Sequence, residues 1–245
     1  MKQKKILFTY GDLKEEYSNK NSFNVFIFRL MKKGKVKLVK RGLYALVDPS
    51  TENIIYASKF QIGCALASDA YFSYHEALEY YGLANQSFVS SFTYISKTFY
   101  HDVDFEEVTY SCKKSNDDSF VLDKMKEEGI RVVTLERAIV DSIDNITLAG
   151  GLEEIEYALD DTPKLNFEDI KHILKKKDKA ILYIKVGYLF EKHLGNNVPS
   201  SFLKLCLSKV SKHINYLDKS LNKTKYNKKW NLIVEDDGGM IDELF

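Results

Sequence analysis

The feature that most constrains this chain is a change of hydrophobic period at Gly34. Before it, Phe23, Phe26, Ile27, Leu30 and Met31 recur at i, i+3, i+4, i+7 and i+8, the spacing of one helix face, which predicts a helix over Phe23 to Lys33. Gly34 is a natural stop for that helix. After it, Lys35 to Val47 largely alternates basic and apolar residues around Gly42, the pattern of a two-stranded hairpin with one wet, positive face. Upstream, Asp12 to Tyr17 reads as a short helix, Ile6 to Thr9 as a short strand or helix, and Ser18 to Ser22 as a polar turn with several N-caps. Helix, turn, helix and basic hairpin describe a winged helix-turn-helix, expected over residues 1–50 and closed by Asp48-Pro49-Ser50.

Residues 51–235 read as a larger mixed α/β domain, which makes the whole chain α+β, and residues 236–245 as an acidic tail. Ser73 to Glu76 forms a capping box before a short helix over Ala77 to Tyr81, with Gly82 ending it. Ser91 to Ser96 and Val103 to Cys112 are expected strands. Ile130 to Val133 leads into a helix over Leu135 to Ile143 capped by Thr134. Further helices are expected through Leu159 and over Phe167 to Lys175, Ala180 to Leu194 and Ser201 to Ile214, with a last strand at Trp230 to Val234.

Charge is segregated along the chain. Residues 1–50 carry a net +8, residues 51–170 a net −14 and residues 171–230 a net +12, while the last 15 residues hold five acids, so that a formal total of +1 hides two basic segments. That asymmetry points to a polyanion partner. Cys64, Cys112 and Cys206 are too far apart for a CxxC zinc site and odd in number, against a disulfide framework. Met1 to Lys5 leads into only four apolar or small residues before Gly11, so no secretory signal is expected. Lys185 interrupts the best apolar run, Ala180 to Phe190, which leaves no span long enough for a bilayer. The expectation is a cytoplasmic protein with no membrane contact.

In a helix-turn-helix the second helix enters the major groove. With Phe23, Phe26, Ile27 and Leu30 turned to the core, the opposite face offers Asn21, Ser22, Asn24, Val25, Phe28, Arg29, Lys32 and, at its end, Lys33. Asparagine pairs with adenine and arginine with guanine through bidentate hydrogen bonds, and Val25 or Phe28 would suit a thymine methyl. Lys35, Lys37, Lys40 and Arg41 of the hairpin would lie along the phosphates, supplying affinity without sequence information. A second basic surface is expected around Lys185, Lys204 and Lys212. Asp102, Asp104 and Glu106 alternate onto one strand face and suggest magnesium-dependent chemistry as an alternative, but no phosphate-binding glycine loop, HExxH or GxSxG accompanies them. The five histidines show no ligand spacing, and His75 is expected to pack against Tyr80 or Tyr81. Arg137 and Asp141, four apart in an apolar helix, are expected to pair and hold that helix in place. No metal, cofactor or catalytic residue is expected.

Five segments, in order, resemble the AbiEi family of antitoxins: Lys32-Lys33-Gly34 with Arg41-Gly42-Leu43-Tyr44, then Tyr74-His75-Glu76-Ala77-Leu78-Glu79-Tyr80-Tyr81-Gly82-Leu83-Ala84-Asn85-Gln86, Val132 to Asp141, Gly150-Gly151-Leu152-Glu153-Glu154, and Lys185-Val186-Gly187-Tyr188-Leu189. The resemblance spans nearly the whole chain. It implies a type IV toxin–antitoxin system active in abortive infection (phage defence). A winged helix would bind inverted repeats in promoter DNA, with two or more copies repressing the operon. A C-terminal domain would oppose a nucleotidyltransferase-like toxin without a stable complex. Only the recognition helix and wing carry the family's functional residues onto named positions. The chain differs from the usual pattern in having too few residues before Asp12 for a full first helix. A ligand-responsive winged-helix regulator and a metal-dependent nuclease or nucleotidyltransferase remain the alternative readings.

Overall fold

A computed structural model of the chain describes residues 5–17, 19–51, 53–123 and 129–236. Ser18 of the expected turn, the first four residues and tail residues 237–245 lie outside that set. The chain is a mixed α+β protein with several small sheets, in two compact units, Met1–Glu76 with Phe88–Val133 and Ala77–Ser87 with Thr134–Phe245. This division does not follow the change of charge near residue 50.

The first unit opens with β1 (Leu7–Thr9), α1 (Tyr10–Leu13), α2 (Lys20–Lys32), β2 (Val36–Lys40) and β3 (Leu43–Leu46). The three strands form an antiparallel sheet in the order β1-β3-β2, with Leu7 opposite Ala45 and Val36 opposite Leu46. α1 is shorter than the sequence suggests. Asp12 accepts hydrogen bonds at 2.8 Å from both the backbone N–H and hydroxyl of Thr9, which starts the helix early. Glu15 and Glu16 then stand at its C-terminal end, where negative charge opposes the helix dipole. Asn19 caps α2 by accepting from Ser22 N at 3.0 Å, so that helix starts three residues before Phe23. Phe8, Phe23, Ile27 and Val36 form a small core of their own. Phe23 meets Tyr10, Tyr17 and Tyr44 edge-on at 5.2, 5.6 and 5.8 Å. Burying a side chain of this size stabilises the fold by about 1.5–3 kcal/mol.

The rest of this unit contains α3 (Lys59–Ala65), the start of α4 (Tyr74–Tyr80), β4 (Ser91–Ser96), β5 (Val103–Phe105), β6 (Val108–Lys114), β7 (Val121–Asp123) and β8 (Arg131–Val133). α3 has a reciprocal Ser58–Gln61 capping box, and its Gly63 lies so close to the Phe92 ring that a Cβ there would overlap it. β4 and β6 are parallel, and β5 returns antiparallel onto β6. The expected single strand over Val103 to Cys112 is therefore a hairpin, turning at Glu106 and Glu107, both with positive φ. Phe72, Phe92 and Tyr110 pack ring to ring beneath the sheet. His75 stacks on Phe88 at 3.9 Å, not on Tyr80 or Tyr81. Its neighbour Glu76 turns inward to accept from Thr93 N at 2.7 Å.

In the second unit, α5 (Leu135–Asp144), α6 (Leu152–Asp160), α7 (Phe167–Lys177), α8 (Ala180–Leu194) and α9 (Ser200–Leu207) precede β9 (Asn215–Tyr216), β10 (Thr224–Asn227) and β11 (Leu232–Glu235). Thr134 caps α5, and Asn166 caps α7. The pair expected on α5 is present and buried, with Arg137 Nε 3.2 Å from Asp141. Lys177 of α7 adds a second contact to Asp141 at 2.7 Å, which locks the two helices together. Trp230 is fully buried against Gly187 of α8 and donates its indole N–H to Glu191 at 2.9 Å. α9 ends at Leu207 rather than Ile214. Residues 211–217 instead bond to the turn and strand at 231–233, and Asn231 donates its amide to Ser211 O and His213 O.

Candidate nucleic-acid interface

The periodicity that buries Phe23 and Ile27 turns Asn21, Val25, Phe28, Arg29 and Lys32 of α2 to the surface, with Ser22 and Asn24 on its flanks. Phe28 is 58% exposed, and the Lys32 ammonium lies 4.8 Å over its ring. Such a cation–π contact holds both side chains while leaving the charge accessible. Lys33 and Lys35 flank the helix stop at Gly34, whose φ of 65° an L side chain rarely adopts. Arg41 is exposed beside Gly42 at the tip of the hairpin, where φ is 86°. Lys20, at the first position of α2, is also exposed. Reading the helix from Phe23 hid it, although Asn19 is an N-cap signal just before it.

The hairpin does not present all its lysines as its alternation implied. A β-bulge shifts the register between Leu38 and Lys40. Leu38 turns out, 45% exposed, and Val39 turns in. Lys37 instead pairs with Glu106 in the turn after β5, at 2.6 Å. Lys40 donates to Leu66 O at the end of α3 and lies 5.5 Å over the Tyr100 ring. Partial burial lowers the Lys40 pKa. Both lysines anchor the hairpin to its own unit. The exposed basic face is therefore Lys20, Arg29, Lys32, Lys33, Lys35 and Arg41, with Asn21, Ser22 and Asn24 among them.

An open cleft of about 690 Å³ adjoins this face, lined by Lys33, Lys35, Leu46, Asp48 and Tyr56 among others. Asp48 is engaged by the Ser50 backbone and hydroxyl at 2.8 and 2.7 Å.

The carboxylates weighed for metal chemistry are dispersed. Glu106 is in the turn paired with Lys37, and Asp104 accepts from the Thr109 hydroxyl at 2.7 Å. No cluster of three or more acidic, histidine or cysteine side chains suited to a metal occurs among the described residues. No helix among them is long and apolar enough to cross a membrane. On the second basic segment, Lys204 is exposed on α9, and Lys212 lies exposed in the loop beyond it rather than on a continuing helix. Lys185 is half-buried in α8, and that burial lowers its pKa. Cys64 and Cys206 are buried thiols pushed up to about 12 by burial, which leaves them unreactive near neutral pH.

No protein-family model and no curated protein matches the chain. Among solved structures, the crystal structure of the Rv2827c protein of Mycobacterium tuberculosis is similar in fold. It has a TM-score of 0.67 over 94% of this chain and 87% of that one, at 13% sequence identity.

Proposed function

We propose that the first 50 residues form a winged helix that binds duplex DNA, and that the chain represses its own promoter as the antitoxin of an AbiEi-type pair. The observation that carries the DNA reading is the shared exposure of α2 and the hairpin tip. The layout β1, α1, α2, hairpin, with β1 added to the hairpin, supports a second helix as the reading element. Arg29, Asn21 and Asn24 are the base-reading candidates, and Lys20, Lys32, Lys33, Lys35 and Arg41 are the phosphate contacts. Two copies on an inverted repeat would cover a promoter, which is the expected basis of repression.

The antitoxin half rests on the five resembling segments and names a nucleotidyltransferase-like toxin as the functional partner, without a stable complex. The protein acts in the cytoplasm on this reading and performs no reaction. Co-expression with a nucleotidyltransferase-like toxin from the adjacent gene tests it. Restored growth is the expected result. Continued toxicity with soluble, folded antitoxin present contradicts it.

A small-molecule effector is the second reading. It is favoured by the cleft beside Lys33 and Lys35, where a ligand would touch the phosphate-contacting lysines directly. On that reading the effector would sit in the first unit.

A further inference from the structure

The small sheet β10-β11-β9 has two faces of opposite character. Leu232 and Val234 of β11 point into the second unit and are buried. On the other face one register row runs across all three strands: Tyr226 is opposite Ile233, and Ile233 is opposite Tyr216. Residues paired in register share a face, so two tyrosines flank one isoleucine on the outer surface. Each tyrosine is 50% exposed, and Ile214, two residues before Tyr216, is 57% exposed. The strand spacing puts the two rings about 10 Å apart.

One end of this row is anchored at Tyr226. The Tyr226 hydroxyl donates to Asn231 Oδ1 at 2.7 Å, while the Asn231 amide donates to Ser211 O at 2.7 Å and His213 O at 3.0 Å. The phenol hydroxyl is thus tied to the loop before β9, while Tyr226 stays half exposed. A polar rim surrounds it. Between residues 200 and 230 the chain has eight lysines and one acid, Asp218, and of these lysines Lys225 pairs with Asp236 at 3.9 Å and Lys229 with Glu191. Lys212, Lys219, Lys223 and Lys228 are exposed in the loops and turns that enter and leave these strands. Glu235, opposite Thr224, is the carboxylate at the end of the outer face.

We infer that this sheet face binds single-stranded nucleic acid, with bases stacked on Tyr216 and Tyr226 and phosphates held by the surrounding lysines. Aromatic side chains in one row across a sheet face within a positive field are the physical requirement for gripping an unpaired strand, because every base has a π face and every linkage a charge. A duplex offers neither ring face to such a platform, since its bases are stacked inside. The occupant is therefore distinct from the duplex assigned to α2. Ring faces and ammonium groups contact base and phosphate, not the sugar, so RNA and DNA strands are both accepted.

Fluorescence anisotropy of the full chain with labelled thymidine and uridine homopolymers of about 12 nucleotides tests this. Both should bind with a salt-dependent affinity, and a matched duplex should compete poorly in an Arg29→Ala, Lys35→Ala variant. Tyr216→Leu and Tyr226→Leu should each weaken binding of the single strands about tenfold, and Tyr216→Phe should retain it. Binding that is lost in the Arg29→Ala, Lys35→Ala variant would overturn the proposal, since it would belong to α2. Equal binding by the Tyr216→Leu, Tyr226→Leu double variant, shown to be folded by circular dichroism, would overturn it as well. So would no binding by the wild type.

Discussion

The Lys37 ammonium lies 2.6 Å from the Glu106 carboxylate, joining the basic hairpin to a turn 69 residues further along the chain. A lysine held this way is not available to phosphate. Lys37→Ala should leave the salt dependence of duplex binding unchanged and cost less than about 1 kcal/mol of stability, as for other partly exposed pairs. Lys35→Ala should lower the salt slope by roughly 1. Titrations at several salt concentrations separate the two, and equal slope changes would show that the Lys37–Glu106 pair opens on DNA.

Asp141 is 1% exposed and faces both Arg137 and Lys177. Its removal takes the carboxylate facing the buried Arg137 away and one of two from the partly buried Lys177, which keeps Asp144 at 3.2 Å. Asp141→Ala should therefore cost about 3–5 kcal/mol in urea unfolding. A loss under about 1 kcal/mol would mean that water replaces the carboxylate there.

Gly187 is the point where α8 meets the buried tryptophan. An added Cβ would lie 2.4 Å from Trp230 and 2.7 Å from Cys206 Cβ. Gly187→Ala should destabilise the second unit by about 1–3 kcal/mol despite alanine's better helix propensity. A melting temperature at or above wild type would contradict that packing.

These sites differ in how far the sequence exposes them. The α2 helix was legible because its period starts from Phe23 and Ile27, which are buried, and Gly34 stops it, although Phe26 and Met31 of the expected core face are exposed, at 37% and 39%. The Arg137–Asp141 pair was legible because i and i+4 on a helix are neighbours. Lys177 was not, because its contact to Asp141 joins residues brought together only by packing. The bulge after Leu38 left no mark in an alternating pattern, so Lys37 and Lys40 looked equivalent to Lys35. Leu203, Leu207, Val210 and Ile214 fit a helix face, yet Ile214 is exposed because pairing with β11 claims the backbone beyond Leu207. The Tyr216–Ile233–Tyr226 row was invisible for the same reason: two-residue and four-residue strands carry almost no periodicity, and their register is a tertiary fact.

His193 supplies a pH dependence. Burial pulls its pKa down, but hydrogen bonds and charge from Glu156 and Asp160 outweigh that and leave it raised. The imidazole is 2.7 Å from Asp160 and 3.2 Å from Glu156, and Lys192 shares Glu156. A raised folded-state pKa stabilises fully below the unfolded value of about 6.5, and the contribution is lost as pH rises through the folded value. The stability gap between wild type and His193→Gln should therefore be larger near pH 5.5 than near pH 8.5. A gap that does not change with pH would show that only packing is lost.

Direct binding to the promoter tests whether α2 and the hairpin read DNA. Anisotropy titration of the full chain against duplex from its own upstream region should give tight binding, with log K falling against log salt at a slope of roughly −4.5 per N-terminal unit if each of the phosphate-contacting side chains neutralises one phosphate. Arg29→Ala should cost roughly 1–3 kcal/mol on that duplex and little on a scrambled one. A flat salt response, or affinity for the promoter unchanged by Arg29→Ala together with Lys33→Ala, would contradict the assignment of α2 and the hairpin as a DNA reader.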